Sequence, residues 1–330
     1  MNYLFFDIEC ANCDNGVGKI CSFGYVLCDS DFNVLEKKDL LINPNAKFSY
    51  GVFSKKYITL GYPPSQFLSQ PKFDVRYPTI RDLLTQPDQI VIGHAVDNDV
   101  NFLLGDCDRY RLPVIEYDFY DSQELYRVYT KCSLHKNLTA ICEELDITLG
   151  NAHRSDEDAE MTMQVVKKLC EQQNLELPKL LEKFPTSHHK MRDLIAKHNI
   201  RKQFFLFKQF LTQSRMEKTI ENNIIKGKTF CFSRKVEALD YGKTANLIQQ
   251  VLDSGGYYST DIEKADFFVR GKGGCDRLTK ALAKSSLPII TLNFLCKMLE
   301  VDYALIPTLN MSKYLAKQTK ETTTTRRKGS

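Results

Sequence analysis

The chain has 330 residues, 43% of them hydrophobic, a size and composition that suit two ordinary globular domains. It has no run of 18 apolar residues and no basic segment followed by an apolar leader, so we expect neither a membrane span nor a signal peptide. The eleven cysteines stand within apolar patterns and favour reduced thiols over a disulfide framework, which predicts a cytoplasmic protein.

The formal net charge of +4 is divided between two parts of opposite sign. Residues 1–176 hold 17 basic and 27 acidic side chains, whereas residues 177–330 hold 28 basic and 14 acidic ones. An acidic part joined to a basic part indicates a site that needs cations beside a surface that attracts polyanions.

The first half of the chain predicts a mixed sheet. Strand-like segments at 3–8, 20–28 and 33–42 follow one another and suggest an antiparallel start. Strands and amphipathic helices then alternate: a helix at 79–84, a strand at 89–95, a helix at 98–110, a strand at 114–120, and helices at 134–145 and 157–169. We therefore predict an α/β domain with flanking helices over residues 1–175.

The second half predicts three further regions. Residues 176–223 are basic and rich in helix formers, and we interpret them as a helical connector. Residues 224–305 alternate strand and helix, with Gly255-Gly256 where the chain reverses, and predict a small α/β domain. Residues 306–330, which end in KETTTTRRKGS, are polar and basic and predict a disordered tail.

The stretch Phe5–Glu9 carries the most informative short pattern. Side chains alternate faces along a strand, so Asp7 and Glu9 project together. Two adjacent carboxylates repel each other, and a divalent cation such as Mg²⁺ or Mn²⁺ relieves that repulsion through oxygen ligands. The alternative is a strand end with two solvated acids.

Two more acids lie further along the chain, near the starts of predicted helices. Asp99 stands in the first turn of the helix that follows the strand ending near His94. Asp158 stands in the first turns of a later helix, five residues after His153. Taken singly, each aspartate could serve only to complement a helix dipole.

Three motifs together resemble the DEDDh exonucleases, the family that includes the proofreading subunit of bacterial DNA polymerase III. They are FDIE, then His-x-x-x-x-Asp-x-x-Phe-Leu from His94 to Leu103, then His-x-x-x-x-Asp-Ala from His153 to Ala159. The resemblance covers roughly residues 1–173 and implies a ribonuclease H-like fold.

This resemblance implies the roles of five residues. Asp7, Glu9, Asp99 and Asp158 would hold two Mg²⁺ or Mn²⁺ ions, and His153 would be the general base. The reaction would release nucleoside 5′-monophosphates from a 3′ end. Cys10 and Ala11 replace the Thr or Gly that the family often carries after the glutamate, so contacts to the sugar and base are left open.

The second domain resembles BRCT domains. The pattern GKTFCFS, LIQQVLDSGG, ADFFVRGKG and LPIITLNFLCKML carries the likeness. It implies a phosphate site formed by Ser233 with Arg277 or Lys280, although Arg234 replaces the glycine common in the family. The alternative is that Ser233 is only a strand-end hydroxyl. The chain lacks tryptophan, so we expect Phe294 to fill the core position that a BRCT tryptophan often takes.

We expect a 3′→5′ exonuclease acting on DNA in replication or repair. Its expected partners are nucleic acid with a free 3′ end and, through the BRCT-like domain, DNA or a replication or repair protein. Trimming of RNA 3′ ends and an inactive tether are the alternatives. The intact set of four acids and one histidine weighs against the tether.

Overall fold

The computed structural model describes residues 1–14, 17–48, 60–150, 153–271, 276–284 and 286–314. The chain divides into two compact units, Met1–His198 and Asn199–Ser330. Among the residues that the structure describes, no helix has the length and apolar character needed to cross a membrane. Among the described residues, none of the ten cysteines forms a disulfide.

The first unit contains a six-stranded mixed sheet and helices on its faces. Its strands are β1 (Asn2–Asp14), β2 (Val17–Cys28), β3 (Val34–Leu41), β4 (Gln89–Gly93), β5 (Asp118–Asp121) and β6 (His188–Lys190). Its helices are α1 (Pro64–Leu68), α2 (Phe73–Leu84), α3 (Asp97–Tyr110), α4 (Ser122–Tyr129), α5 (Leu138–Glu144), α6 (Ser155–Gln173), α7 (Leu177–Lys183) and the first residues of α8 (Met191–Gln213). The prediction of an α/β domain with a mixed sheet and flanking helices is confirmed.

Strand β1 lies in the interior of this sheet, whose order is β3-β2-β1-β4-β5-β6. It pairs antiparallel with β2 and parallel with β4, and β2 pairs antiparallel with β3. Strands β4 and β5 are parallel, and the edge strand β6 is antiparallel to β5. A central strand is held from both sides, so its side chains are fixed in direction.

The alternation of apolar residues in β1 divides the core into two layers. Leu4, Phe6 and Ile8 pack on one face with residues of α2 and α3. Tyr3 and Phe5 pack on the other face with residues of α4 to α7. Asp7 and Glu9 share the parity of Tyr3 and Phe5, and therefore face the layer that contains α6.

Gly24 lets α6 approach the sheet closely. It stands opposite Asp7 in β1 and opposite Asp39 in β3. A Cβ atom at Gly24 would lie 2.0 Å from the carbonyl carbon of Ser155 and 2.1 Å from the amide nitrogen of Asp156. The start of α6 thus rests on backbone at a position that has room for no side chain.

The second unit is a smaller α/β structure. Its four parallel strands lie in the order β10-β9-β7-β8. They are β7 (Thr229–Phe232), β8 (Tyr257–Tyr258), β9 (Phe267–Arg270) and β10 (Ile289–Thr291), with helices α9 (Arg234–Glu237), α10 (Tyr241–Asp253), α11 (Asp276–Ala283) and α12 (Leu292–Met298). The alternation of strand and helix agrees with the predicted α/β pattern, and the likeness to BRCT domains stays a prediction.

Two predictions about these regions differ from the structure. The connector was expected to be helical from residue 176, but α7 is followed by the strand β6, and both lie in the first unit. The tail was expected to be disordered from residue 306, but Ile306, Met311 and Tyr314 are buried in the core of the second unit. The part of the tail at 315–330 lies outside the described residues.

The prediction for Phe294 was wrong. Its side chain is 52% exposed. Thr291 caps α12 by accepting a hydrogen bond from the Phe294 amide. Because the helix begins here, its buried face carries Leu295, Cys296 and Met298 instead of Phe294.

We expect Gly24→Ala to destabilise the first unit by about 3 kcal/mol, because a methyl group there meets backbone atoms that have no rotamer to move into. Gly150→Ala is the matched control: its Cβ would meet Glu157, nearest at Oε2, the far end of a flexible side chain. That change should stay within about 0.5 kcal/mol. Urea unfolding of both proteins measures the difference, and equal stabilities would contradict the close approach.

Candidate metal centre

Three carboxylates meet beside the sheet. Asp7 and Glu9 project from one face of β1, and Asp158 lies in the first turn of α6 on that same face. Each offers one oxygen, and these oxygens all lie within 4.8 Å of one another. A set of convergent carboxylate oxygens at this spacing fits a hard divalent cation such as Mg²⁺ or Mn²⁺.

The electrostatics of the cluster favour a positive ion. Burial raises the pKa of Asp7 well above its ordinary value, and the carboxylates of Asp99, Glu9 and Asp158 raise it further. Burial, followed by the charge of Glu9, raises the pKa of Asp158 to about 6. These shifts mean that the ionised cluster carries negative charge that the surrounding protein does not balance.

Asp99 joins the site from a different direction. It lies in the first turn of α3, whose apolar residues Val100, Leu103 and Leu104 pack on the sheet face opposite to α6. Its side chain is buried, and burial, together with Glu9, Asp121 and Asp158, raises its pKa well above the ordinary value. Asp99 is therefore electrostatically coupled to the cluster without belonging to the close group of three.

His153 lies next to Glu9. Its Nδ1 is 3.4 Å from Glu9 Oε1, and its side chain is 43% exposed. The hydrogen bond to Glu9 raises the pKa of His153, against the opposing effect of burial. The residue has a positive φ of 67°, and its carbonyl accepts a 2.9 Å hydrogen bond from the Gly61 amide. An imidazole held beside the acids and still open to solvent can exchange protons with water.

Asp121 is a supporting residue that the motifs did not reveal. It is buried at the end of β5, and its carboxylate accepts hydrogen bonds from the amides of Ala95 at 3.1 Å, Val96 at 3.2 Å and Gln123 at 2.8 Å. It thereby caps α4 and fixes the turn that leads into α3 and Asp99. The sequence contains a signal for it, because Asp121 followed three residues later by Glu124 is a capping pattern.

His94 does not join the cluster of acids. Its Nδ1 lies 2.9 Å from Ser122 Oγ, and burial lowers its pKa. This contact connects the end of β4 to the start of α4, so the residue serves the framework around Asp99.

In the second unit, the predicted phosphate residues have other contacts. Ser233 is buried, and its Oγ accepts hydrogen bonds from the amides of Val236 at 3.3 Å and Gly271 at 3.1 Å. Arg277 donates to the Phe232 carbonyl at 2.8 Å and pairs with the buried Glu237. Lys280 is exposed. The guanidinium charge of Arg277 is thus already balanced within the unit.

A cavity of about 760 Å³ lies nearby, at the carboxyl ends of β7, β9 and β10. Lys235 and Arg270 line it together with apolar side chains that include Leu239, Leu278 and Leu292. The carboxyl ends of parallel strands are where α/β sheets commonly bind ligands. The positive charge at this end of the sheet therefore comes from residues other than those predicted.

Residues 4–166 match the RNase_T family of exonucleases. Asp7, Glu9, Asp99, His153 and Asp158 all lie inside the matched range. The match therefore covers most of the first unit, Met1–His198. No curated protein matches the sequence.

Several solved structures of exonucleases are similar to part of the chain. E. coli exonuclease I in complex with a dT13 oligonucleotide has 17% identity and a TM-score of 0.47, over 55% of this chain and 43% of that one. The nuclease domain of 3′hExo, a DEDDh family member bound to rAMP, has 18% identity and a TM-score of 0.44, over 52% and 92%. A 3′-exonuclease described in 3′-end-specific recognition of a histone mRNA stem-loop has 19% identity and a TM-score of 0.44, over 53% and 83%. The match spans less than half of exonuclease I.

The metal-free protein should lose stability as pH rises. A carboxyl group whose pKa is higher in the folded state than in the unfolded state binds more protons when folded. The free energy of unfolding therefore falls as the pH rises from the unfolded pKa to the folded pKa. For Asp158 this window runs from the ordinary 3.8 to about 6. We expect Asp158→Asn to flatten this part of the pH profile of thermal stability and to weaken the stabilisation by Mn²⁺ at pH 7.

The exposed Asp82→Asn change is the control for this measurement, because the Asp82 side chain is 57% exposed and pairs with Arg81 at the surface. It should leave both the pH profile and the Mn²⁺ effect as in the wild type. A pH profile for Asp158→Asn that is identical to the wild type would contradict the electrostatic account.

Arg277→Ala should destabilise the second unit by about 3–5 kcal/mol, because it removes the cation that pairs with the buried Glu237 carboxylate. The side chains of Arg277 and Glu237 are only 18% and 7% exposed. Lys280→Ala, at an exposed position, should change stability by less than about 0.5 kcal/mol. Denaturant titration compares the two, and similar small losses would show that the Arg277 charge is available for a ligand.

Proposed function

We propose that this protein is a metal-dependent 3′→5′ exonuclease of the DEDDh type, which releases nucleoside 5′-monophosphates from the 3′ ends of DNA. The observation that carries the proposal is the meeting of three carboxylates within 4.8 Å, with His153 Nδ1 3.4 Å from Glu9, inside a domain that matches an exonuclease family. Asp99, coupled to these acids, completes the set of four that two cations would need.

The donor set suggests how cations would be held. Asp7, Glu9 and Asp158 would bind one ion, and Asp99, with Asp7, would provide ligands for a second. Bound divalent cations would stabilise the charge on the attacking and leaving oxygens of an in-line displacement at phosphorus. The neighbouring carboxylates raise the pKa values of Asp7 and Asp99, so binding of positive ions would relieve a repulsion that the folded chain maintains.

His153 is the proposed general base. Its contact with Glu9 favours the proton on Nδ1, which leaves the lone pair of Nε2 to accept a proton from the attacking water. The raised pKa makes the imidazole a stronger base, and it also raises the pH above which the imidazole is mostly neutral. Its partial exposure gives the accepted proton a path to solvent.

The second unit is the proposed contact to nucleic acid or to a partner. The excess of Lys and Arg over Asp and Glu in the second unit would give sequence-independent, salt-sensitive affinity for phosphates. The BRCT-like pattern supports DNA over RNA as the substrate, and it supports a replication or repair protein as a partner of this unit. A cytoplasmic location is part of the same proposal.

Purified protein should shorten a 3′-labelled single-stranded DNA in the presence of Mg²⁺ or Mn²⁺ and should stop when the metal is chelated. Asp7→Ala and Asp158→Ala should each reduce the rate by about 100-fold or more while leaving the fold intact, because each removes a ligand of the cation. The exposed Asp82→Asn protein should retain full activity. An RNA of the same sequence, digested side by side, tests the substrate.

An Asp7→Ala protein with wild-type activity would refute the site. Faster digestion of the RNA would replace DNA by RNA as the substrate. A wild-type protein that binds Mn²⁺ and cleaves neither substrate would favour the inactive tether.

A further inference from the structure

A small polar cluster lies beneath the first turn of α6. It consists of Ser22 from β2, Asp39 from β3 and Ser155, the first residue of α6. The Ser22 hydroxyl contacts both the Ser155 hydroxyl and the Asp39 carboxylate, and Ser155 Oγ donates to Asp39 Oδ1 at 3.2 Å. Ser155 is fully buried and Ser22 nearly so. Hydrogen bonds between side chains therefore connect two strands to the start of the helix.

The register of the sheet places this cluster beside the candidate metal centre. Ser22 is opposite Glu9, and Gly24 is opposite both Asp7 and Asp39. Residues directly opposite each other in a ladder share a face of the sheet. The acids of β1 and the polar cluster thus lie on one face of the sheet. Ser22 is one strand from these acids and Asp39 is two strands away, with the backbone of Gly24 between Asp7 and Asp39.

Helix α6 begins without the usual means of fixing a helix start. Arg154 is its N-cap residue, and the Arg154 side chain makes no capping hydrogen bond. The apolar packing of the rest of α6 resists separation from the sheet but gives little preference for one rotation of the helix. The directional hydrogen bonds of Ser155 supply that preference.

Rotation of α6 matters because Ser155 and Asp158 are three residues apart. Side chains with this spacing lie on the same side of a helix, one turn from each other. Fixing Ser155 against Ser22 and Asp39 therefore fixes the direction in which Asp158 points. The two hydroxyls also lower the pKa of Asp39, against a larger raising effect of burial, which is the behaviour of donors that stabilise its charged form.

We propose that Ser22, Asp39 and Ser155 are positioning residues that hold Asp158 toward Asp7 and Glu9 and thereby set the metal affinity of the site. The inference rests on the proposed function in that Asp158 is taken to be a metal ligand. Among the described residues, Asp39 does not belong to the group of convergent carboxylate oxygens. The effect of the three residues on the cation is indirect, through the orientation of the helix.

The test is Mn²⁺ binding by the full-length protein, measured by calorimetry, for wild type, Ser155→Ala and Ser187→Ala. Ser187 is the matched control, because it is also fully buried and its hydroxyl donates to the Phe184 carbonyl at 2.9 Å, in a segment outside the metal centre. We expect Ser155→Ala to weaken Mn²⁺ binding by about 10-fold or more, as for other residues that orient metal ligands. Ser187→Ala should bind Mn²⁺ as the wild type does.

Two further readouts separate positioning from general stability. The melting temperatures of the two metal-free variants should fall by similar amounts, since each loses one buried hydroxyl. On a DNA oligonucleotide, Ser155→Ala should lower kcat with little change in KM. If Ser155→Ala does not fold, Ser22→Ala takes its place and carries the same expected results.

The results that would overturn the positioning role differ from those that would overturn the proposed function. Wild-type protein that binds no Mn²⁺ refutes the metal centre and with it the proposed function. Wild-type protein that binds Mn²⁺, together with an Ser155→Ala protein of unchanged Mn²⁺ affinity, overturns only the positioning role. A loss of thermal stability in Ser155→Ala without any loss of Mn²⁺ affinity also overturns it, because that result describes a purely structural contact.

Discussion

Repulsion among neighbouring carboxylates is the constraint on which this molecule depends. Two unit charges 4 Å apart repel by about 4 kcal/mol at the effective dielectric constant of a protein surface. Asp7, Glu9 and Asp158 have oxygens at comparable distances, and Asp99 adds its charge from the other layer. A chain free to relax would separate these groups, so the surrounding fold must hold them together.

The fold holds them through two different kinds of contact. Strand β1 is an interior strand, and its residues Asp7 and Glu9 pair with Gly24 and Ser22 of β2, so these two acids cannot leave their face without breaking that ladder. Asp158 and Asp99 stand on helices, which can rotate or slide. Each of those helices is connected to the sheet near its start: Ser155 of α6 donates to Asp39 of β3, and the amides just before α3 donate to the buried Asp121 at the end of β5. Strand β1 is held by its ladder and needs no further contact, whereas α3 and α6 each have one.

The sequence allows the local part of this arrangement to be predicted, because it depends on short spacings. Strand alternation places Asp7 and Glu9 on one face, and helical periodicity places Asp99 and Asp158 in first turns. The structure agrees with those local assignments. The starts of elements were harder to predict: the sequence predicted a helix beginning at 79, yet α2 begins at Phe73 and includes Pro78. Asp39 and Ser22 carry no local signal, since only the register of three strands brings them under α6.

In the second unit, the sequence shows which residues are basic but not which of them are free of an acidic partner and can attract an anion. Arg277 is basic in the sequence, but its guanidinium neutralises Glu237, so it contributes nothing to attraction of an anion at long range. Lys235 and Arg270, by contrast, line an open cavity and have no acidic partner among the ion pairs of the described residues. A count of basic residues predicts that the unit attracts polyanions. Which basic residues attract an anion depends on which of them are already paired with an acid, as Arg277 is with Glu237.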